Sequence, residues 1–141
     1  MSLEVSVVIP SKNEEATIGI CIGKIKKVFQ EYNINGEIIV ADNSTDSTPE
    51  IAKSLGAKVV RPDKLGYGYA YRYGFKHARG KYIVMGDADN TYDFLEMIKL
   101  IEPLRRDEAD IVIGSRFKGC IKEGAMKWLH RYIGNPILTF F

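Results

Sequence analysis

The sequence has few cysteines, no long apolar run and no sign of a secretory leader. Cys21 and Cys120 are the two cysteines among 141 residues. That is too few for a disulfide framework, and it fits a reducing compartment. No stretch reaches the roughly 18 apolar residues that a membrane span needs. The N-terminus runs directly into a strand pattern without the basic and apolar regions of a signal peptide. We therefore expect a cytoplasmic protein.

Two common nucleotide-binding motifs are also missing. The sequence contains no G-x-x-x-x-G-K-S/T, the glycine loop that cradles phosphates in P-loop enzymes. It has no G-x-G-x-x-G after the first predicted strand either, because PSKNE (residues 10–14) occupies that turn. These absences argue against P-loop enzymes and dinucleotide-dependent dehydrogenases.

Length and composition are those of one ordinary globular domain. The hydrophobic fraction is 45%, the charged fraction is 27% and the formal net charge is +2. The charge is unevenly distributed, since residues 116–131 carry five lysines and arginines against Glu123 alone. This local excess suggests an anionic partner, although a solvated basic loop would look the same.

Apolar runs and helical patterns alternate along the chain. Five strands are predicted at residues 5–10, where Pro10 ends the first, and at 37–42, 58–61, 82–85 and 110–115. Helices are predicted between them, and a last helical pattern involves Met126, Leu129, Tyr132 and Ile133. Such alternation predicts an α/β fold in three layers, with a mostly parallel central sheet and helices on both faces.

Local signals define the helix ends. Ser11 and Glu14 have the spacing of a capping box, and Thr48 followed by Pro49 predicts a hydroxyl cap for the second helix. The first helix has one apolar face that includes Cys21 and Tyr32, so Cys21 should belong to the core. The third helix is predicted to run to about Arg79.

The most informative stretch is KYIVMGDADNTYD, residues 81–93. A buried strand leads directly to Asp87 and Asp89, where ligands bind in open α/β sheets. Two carboxylates at such a position suit a hard divalent cation that bridges phosphates. An Asp-x-Asp alone is weak, because most such tripeptides lie in solvated turns or helix caps.

Other polar loops are predicted at the same edge of the sheet. Asn13 and Glu14 follow the first strand, and Asp42 to Asp46 follow the second, although Asp46 could equally cap a helix. Gly66 and Gly68 precede a helix N-terminus, which favours an anion. Together these loops predict a site for a nucleoside diphosphate.

The motifs resemble those of family 2 glycosyltransferases of the GT-A fold. The similarity lies in VVIPSKNE (7–14), IIVADNSTDST (38–48), LGYGYA (65–70) and VMGDADNTYD (84–93). GSRFKG (114–119) and GAMKWLHRYIGN (124–135) look like the branch of dolichol-phosphate or polyprenyl-phosphate mannose and glucose synthases.

The resemblance implies a role for individual residues. Asp87 and Asp89 would hold Mg²⁺ or Mn²⁺, with Asp87 meeting either the metal or the ribose. Arg116 and Arg131, with Asn135 nearby, would bind the lipid phosphate and the donor diphosphate. The nucleotide-sugar site would be formed by Pro10, Asn13, Glu14, Asp42, Gly66, Gly68 and Ala70. Thr91 stands where relatives often carry a metal-binding Gln, so the donor and the third metal ligand stay open.

The resemblance also implies an activity. Residues 1–141 would form one catalytic domain, truncated at its C-terminal end, in which residues 116–141 are an acceptor-side segment on the cytoplasmic membrane surface. The domain would move a hexose from a UDP- or GDP-sugar to a polyprenyl phosphate with inversion, and no nucleic-acid partner is expected. Open alternatives are a donor-binding domain without transfer, or a saccharide acceptor. A sugar-phosphate nucleotidylyltransferase is disfavoured, because its glycine- and arginine-rich stretch is missing.

Overall fold

The computed structural model describes residues 2–112 and 119–122, with side chains for residues 2–110. Its strands are β1 (Val5–Ser11), β2 (Gly36–Asp42), β3 (Lys58–Val60), β4 (Tyr82–Met85), β5 (Ile111–Val112) and β6 (Gly119–Lys122). Its helices are α1 (Ile18–Glu31), α2 (Thr48–Ser54), α3 (Tyr67–Phe75) and α4 (Ile98–Arg105), and a 3₁₀ turn (Phe94–Glu96) precedes α4.

The strands form one sheet in the order β3-β2-β1-β4-β6-β5. Strands β3, β2, β1 and β4 run parallel to one another, whereas β6 pairs antiparallel with both β4 and β5. In register, Val7 of β1 lies between Ile38 of β2 and Val84 of β4. The carboxyl ends of β1, β2 and β4 therefore meet at one edge of the sheet.

Helices cover both faces of the sheet, which confirms the predicted α/β architecture. Alternate side chains of β1 point to opposite faces, so Val7 and Ile9 pack with α1, α2 and α4. Val8 packs on the other face against Tyr71 and Phe75 of α3. All of these β1 side chains are completely buried, as expected for a central parallel strand.

Several predicted boundaries are wrong because long-range contacts outweigh local signals. Strand β1 continues through Pro10 to Ser11, and β3 ends at Val60. Helix α1 begins at Ile18 with Thr17 as its N-cap, so the predicted capping box does not form.

Three further differences concern the helices. Ser47 is the N-cap of α2 and makes no side-chain capping bond, while the Thr48 hydroxyl accepts a bond from the Glu14 amide. Helix α3 ends at Phe75, four residues before the predicted end. Tyr32 follows α1 and is 46% exposed, so it does not belong to the helix's buried face. Cys21 is fully buried, as predicted.

The chain also has a strand that the sequence pattern did not indicate. Strand β6 lies in the basic stretch for which the sequence predicts a loop, and it separates β4 from β5. The predicted fifth strand corresponds to β5, of which Ile111–Val112 is described. Arg116, Arg131 and the last helical pattern lie outside the described residues. Among the residues described, no helix is both long and apolar enough to cross a membrane.

Candidate functional site

A cavity of about 290 Å³ opens at the carboxyl edge of the sheet. Its walls come from the end of β1, the loop that follows β4, the turn after β2 and the N-terminus of α3. The lining residues are Pro10, Ser11, Lys12, Glu14, Asn43, Leu65, Gly66, Tyr67, Ala70, Asp87, Ala88 and Asp89. Parallel strands thus bring together polar side chains that lie far apart in the sequence, as expected for a ligand crevice of this fold class.

The cavity contains six of the residues predicted to form the site. These are Pro10, Glu14, Gly66, Ala70, Asp87 and Asp89. Asn13, Asp42 and Gly68 are not among its lining residues, and Arg116 and Arg131 fall outside the described part of the chain. Lys12, Asn43 and Tyr67 line the cavity but were not predicted. Among the lining residues, Lys12 carries the basic side chain.

Asp87 is held by two tyrosines of α3. The hydroxyl groups of Tyr67 and Tyr71 both donate to its Oδ1, the second at 2.8 Å. Burial raises the pKa of Tyr67, and the bond to Asp87 raises that pKa further. Burial also raises the pKa of Tyr71 well above its ordinary value, assisted by the charge of Asp87. Both phenols therefore stay protonated and act as donors at neutral pH.

Asp89 is exposed at the cavity, and its Oδ1 accepts the amide N–H of Thr91 at 3.0 Å. The Oδ2 atoms of Asp87 and Asp89 accept no hydrogen bond from any residue that the structure describes. Two carboxylates with available oxygens suit Mg²⁺ or Mn²⁺, which accept oxygen ligands and commonly complete their coordination with water and phosphate. Within residues 2–110, no cluster of three or more potential metal-binding side chains occurs.

The loop that carries the two aspartates is held by one face of α1 and its N-cap. The Thr17 hydroxyl donates to the carbonyl oxygen of Ala88 at 2.6 Å, and the Cys21 thiol donates to the same oxygen at 3.6 Å. One turn further, Lys24 donates to the side chain of Asn90 at 3.1 Å and pairs with Asp93 at 3.3 Å. Residues spaced by three and four lie on one helix face, so α1 fixes the loop along its length.

Asp42 lies behind the cavity in a buried hydrogen-bond network. It is 1% exposed, and its Oδ1 accepts the hydroxyl groups of Ser11 and Ser44, each at 2.6 Å. Its Oδ2 accepts the amide N–H of Ser44 at 3.0 Å. These bonds tie the end of β1 to the turn after β2. They also explain why Ser11 does not cap a helix.

Asn13 joins the same two loops from the exposed side. Its amide N–H donates to the hydroxyl of Ser44 at 2.7 Å, and its side-chain oxygen accepts the amide N–H of Thr45 at 2.9 Å. The residue has a φ of 57°, a left-handed conformation that asparagine tolerates. Asp46 accepts the amide N–H of Thr48 at 2.9 Å, which favours the helix-capping alternative for that residue. Asn13 and Asp42 thus shape the cavity from outside its lining.

The sequence is similar to one protein family and to individual proteins of that kind. The family profile described as Glycosyl transferase family 2 matches residues 6–141. The low-salt glycan biosynthesis hexosyltransferase Agl6 of Haloferax volcanii is 53% identical over 136 residues, which are 96% of this chain and 33% of that protein. The dolichyl-phosphate hexose transferase of the same organism is 32% identical over 113 residues, which are 80% of this chain and 48% of that protein. The chain therefore spans between a third and a half of these two relatives.

Two solved structures with similar folds are synthases of glycosylated phosphoglycerates. The mannosyl-3-phosphoglycerate synthase of Rubrobacter xylanophilus has a TM-score of 0.65 at 28% identity, covering 72% of this chain and 36% of its own. The glucosyl-3-phosphoglycerate synthase of Mycobacterium tuberculosis, solved with Mn²⁺, UDP and glucosyl-3-phosphoglycerate, has a TM-score of 0.63 at 33% identity. That match covers 72% of this chain and 39% of the mycobacterial one.

These similarities confirm the predicted GT-A fold and the predicted family. The structural matches agree with a mostly parallel sheet between helices, and the sequence matches extend over almost the whole chain. The chain belongs to glycosyl transferase family 2.

Proposed function

We propose that this protein transfers a hexose from a UDP- or GDP-sugar to a polyprenyl phosphate, with the aid of Mg²⁺ or Mn²⁺. The observation that carries the proposal is that Asp87 and Asp89 line the same cavity as the N-terminus of α3. A nucleotide-sugar donor is supported further by the solved structures with UDP and Mn²⁺. The acceptor is suggested by the name of one relative, a dolichyl-phosphate hexose transferase.

The proposed donor site uses each wall of the cavity. Asp87 and Asp89 would hold the cation, which would offset the charge of the diphosphate leaving group. Gly66 and the first turn of α3 would approach the phosphates, where the helix dipole favours negative charge. Lys12 lies at the same cavity and is suited to an anionic ligand. Pro10 and Glu14 would border the nucleoside, and Asn13 and Asp42 would hold those loops in place.

The acceptor determines what else catalysis needs. A phosphate monoester is already ionised near neutral pH, because its second pKa is about 6. Its oxygen can therefore form a bond to the anomeric carbon while the bond from that carbon to the diphosphate breaks, with inversion. In this mechanism positioning and charge stabilisation replace a dedicated general base. We assign the acceptor phosphate to Arg116 and Arg131, in the basic segment 116–141 that would face the cytoplasmic membrane surface.

A donor-binding unit without transfer is the second candidate function. It is favoured by the length of the chain, which covers 33% and 48% of two curated relatives. In that case residues 1–141 bind the nucleotide sugar, and further parts of a longer protein complete the reaction. The two candidates share the donor site and differ only in turnover.

The donor site is tested by calorimetric titration with UDP-glucose and GDP-mannose, with and without Mn²⁺. We expect one donor to bind in a Mn²⁺-dependent manner, and Asp89→Ala to weaken that binding at least about tenfold, because a bond to a charged group contributes about 1.5–3 kcal/mol. Asp63→Ala is the matched control, since Asp63 is an exposed carboxylate outside the cavity lining. Equal binding by Asp89→Ala and the wild type would contradict the proposed metal site.

The acceptor is tested by transfer of a radiolabelled hexose. A short polyprenyl phosphate in phospholipid vesicles is compared with 3-phosphoglycerate and with a free disaccharide. 3-Phosphoglycerate is included because the two solved structures above are named as synthases of glycosylated 3-phosphoglycerate. Label in the lipid fraction supports the first candidate. Donor binding without label in any acceptor supports the second, and label in the disaccharide contradicts the proposed acceptor.

A further inference from the structure

One oxygen of Asp87 is already occupied by protein. Tyr67 and Tyr71 lie one helical turn apart on α3, and both of their hydroxyl groups donate to Oδ1. The two rings pack edge to face, with centroids 5.2 Å apart and an interplanar angle of 86°. Two donors converge on one carboxylate oxygen. They fix the rotation of the carboxylate and leave Oδ2 as the oxygen available to a ligand.

The two tyrosines are anchored to different degrees. Tyr71 is 1% exposed and belongs to the core between α3 and the sheet, where it packs with Val8 and Phe75. Tyr67 is 52% exposed and lines the cavity itself. Tyr71 therefore sets the position of the carboxylate from within the core, while Tyr67 covers Oδ1 from the side where a ligand would enter.

We infer that Tyr67 and Tyr71 are positioning residues that restrict Asp87 to binding a cation through one oxygen, and that this favours small octahedral cations over Ca²⁺. The inference rests on the proposed function, since it assigns a cation to the Asp87–Asp89 pair. Mg²⁺ demands near-ideal octahedral geometry at 2.0–2.1 Å, whereas Ca²⁺ takes 6–8 oxygen ligands and readily uses bidentate carboxylates. A carboxylate with one blocked oxygen can still serve as a single ligand of Mg²⁺, but it cannot bind Ca²⁺ through both oxygens.

The test compares UDP binding in Mg²⁺ with UDP binding in Ca²⁺ by calorimetry. The proteins are the wild type, Tyr67→Phe, Tyr71→Phe and the double variant. We expect the Mg²⁺-dependent affinity of the double variant to fall about tenfold, the lower range for losing hydrogen-bond partners of a metal ligand. The Ca²⁺-dependent affinity should stay constant or rise, because Asp87 can then offer both oxygens. The ratio of the two affinities is thus the diagnostic quantity.

Tyr69→Phe is the matched control. Tyr69 also lies on α3 and donates its hydroxyl to a carboxylate, but that carboxylate is Asp63, outside the cavity lining. We expect its Mg²⁺ to Ca²⁺ ratio to equal that of the wild type. Thermal unfolding checks that each variant is folded. Tyr67→Phe keeps the test decisive if the substitution at buried Tyr71 impairs folding.

The outcomes separate the inference from the proposed function. If Asp89→Ala loses metal-dependent UDP binding while the tyrosine variants keep the wild-type ratio, the inference is overturned and the proposed function stands. A fall in UDP affinity that is equal in Mg²⁺ and Ca²⁺ also overturns it, since Asp87 would then contact the nucleotide directly. A wild-type chain with no metal-dependent UDP binding overturns both.

Discussion

Asp42 illustrates how a single residue can support a site without lining it. Its carboxylate is buried and accepts three hydrogen bonds, from the hydroxyl groups of Ser11 and Ser44 and from the amide of Ser44. The loops after β1 and β2, which border the cavity, are joined through this one side chain. The resemblance to glycosyltransferases implied a nucleoside contact for Asp42, and that role stays a prediction.

Asp42→Ala should lower the free energy of unfolding by about 3 kcal/mol, because three donors lose their acceptor and each such loss costs about 1 kcal/mol or more. Asp42→Asn keeps one acceptor oxygen and should cost less. Urea denaturation followed by circular dichroism measures both values. If donor affinity falls while the unfolding free energy is unchanged, Asp42 contacts the nucleoside directly instead.

Elements with strong local patterns were predictable from the sequence. Strands β1, β2 and β4 are short apolar runs that lead into polar loops, and α1 has apolar positions every three or four residues, so periodicity alone finds them. The sequence pattern does not predict β6, because its own apolar pattern is short and one of its two partners, β4, is distant in sequence. The placement of Asp87 and Asp89 at the sheet edge followed from the strand before them.

The contacts that shape the site were less accessible to sequence analysis. Ser11 has the local spacing of a helix cap, yet its hydroxyl bonds to Asp42, 31 positions away. The bond from Tyr67 to Asp87 spans 20 positions and connects α3 to the loop that follows β4. Only the spacing of Tyr67 and Tyr71, which places them on one face of a helix, was a usable signal. Hydrogen-bond partners that are distant in sequence are determined by the tertiary structure, not by a local pattern.

Helix α3 can sit close to the sheet because it has a glycine at the contact point. A Cβ atom on Gly74 would lie 2.5 Å from Cγ1 of Val8, a completely buried side chain of the central strand. Gly74→Ala should therefore destabilise the protein by about 1–3 kcal/mol, the usual cost of overpacking. It should also displace α3, which carries Tyr67 and Tyr71. Urea denaturation measures the loss of stability, and titration with UDP measures the effect of displacing α3 on ligand binding.

Gly23 provides the matched control on α1. It is exposed within the helix, and a Cβ atom there would meet nothing within 4 Å among the described residues. Gly23→Ala should stabilise the protein by about 0.5–1 kcal/mol, because alanine loses less backbone entropy in a helix. Equal stability changes for the two alanine variants would contradict the close contact between α3 and β1.

At the scale of the whole molecule, Cys21 reports whether the fold is intact. The thiol is completely buried, and burial raises its pKa to about 11. At pH 8 such a thiol is ionised to about one part in a thousand, and the thiolate is the reactive form. In the unfolded chain the burial that raises the pKa is lost, and the thiol becomes accessible.

Alkylation of Cys21 by iodoacetamide at pH 8 should therefore follow global unfolding. Peptide mass spectrometry counts this site separately from Cys120. We expect very slow labelling of the native protein and a rate that rises with urea in parallel with the unfolded fraction. The chain in urea above its unfolding midpoint gives the reference rate. Rapid labelling that does not depend on urea would show that the face of α1 against Ala88 opens locally.

The position of β6 has a consequence for how the sheet is completed during synthesis. β5 comes before β6 in the sequence, but β6 lies between β5 and β4 in the sheet. Until Gly119–Lys122 leaves the ribosome, β4 is an edge strand with one unpaired row of backbone donors and acceptors, a template for pairing with another chain. In a nascent chain or proteolytic fragment that ends before Gly119, Asp87 and Asp89 would directly follow this open edge strand. The free edge of β4, the strand that leads to the proposed metal site, is thus paired by residues of the segment 116–141 that is proposed to bind the acceptor.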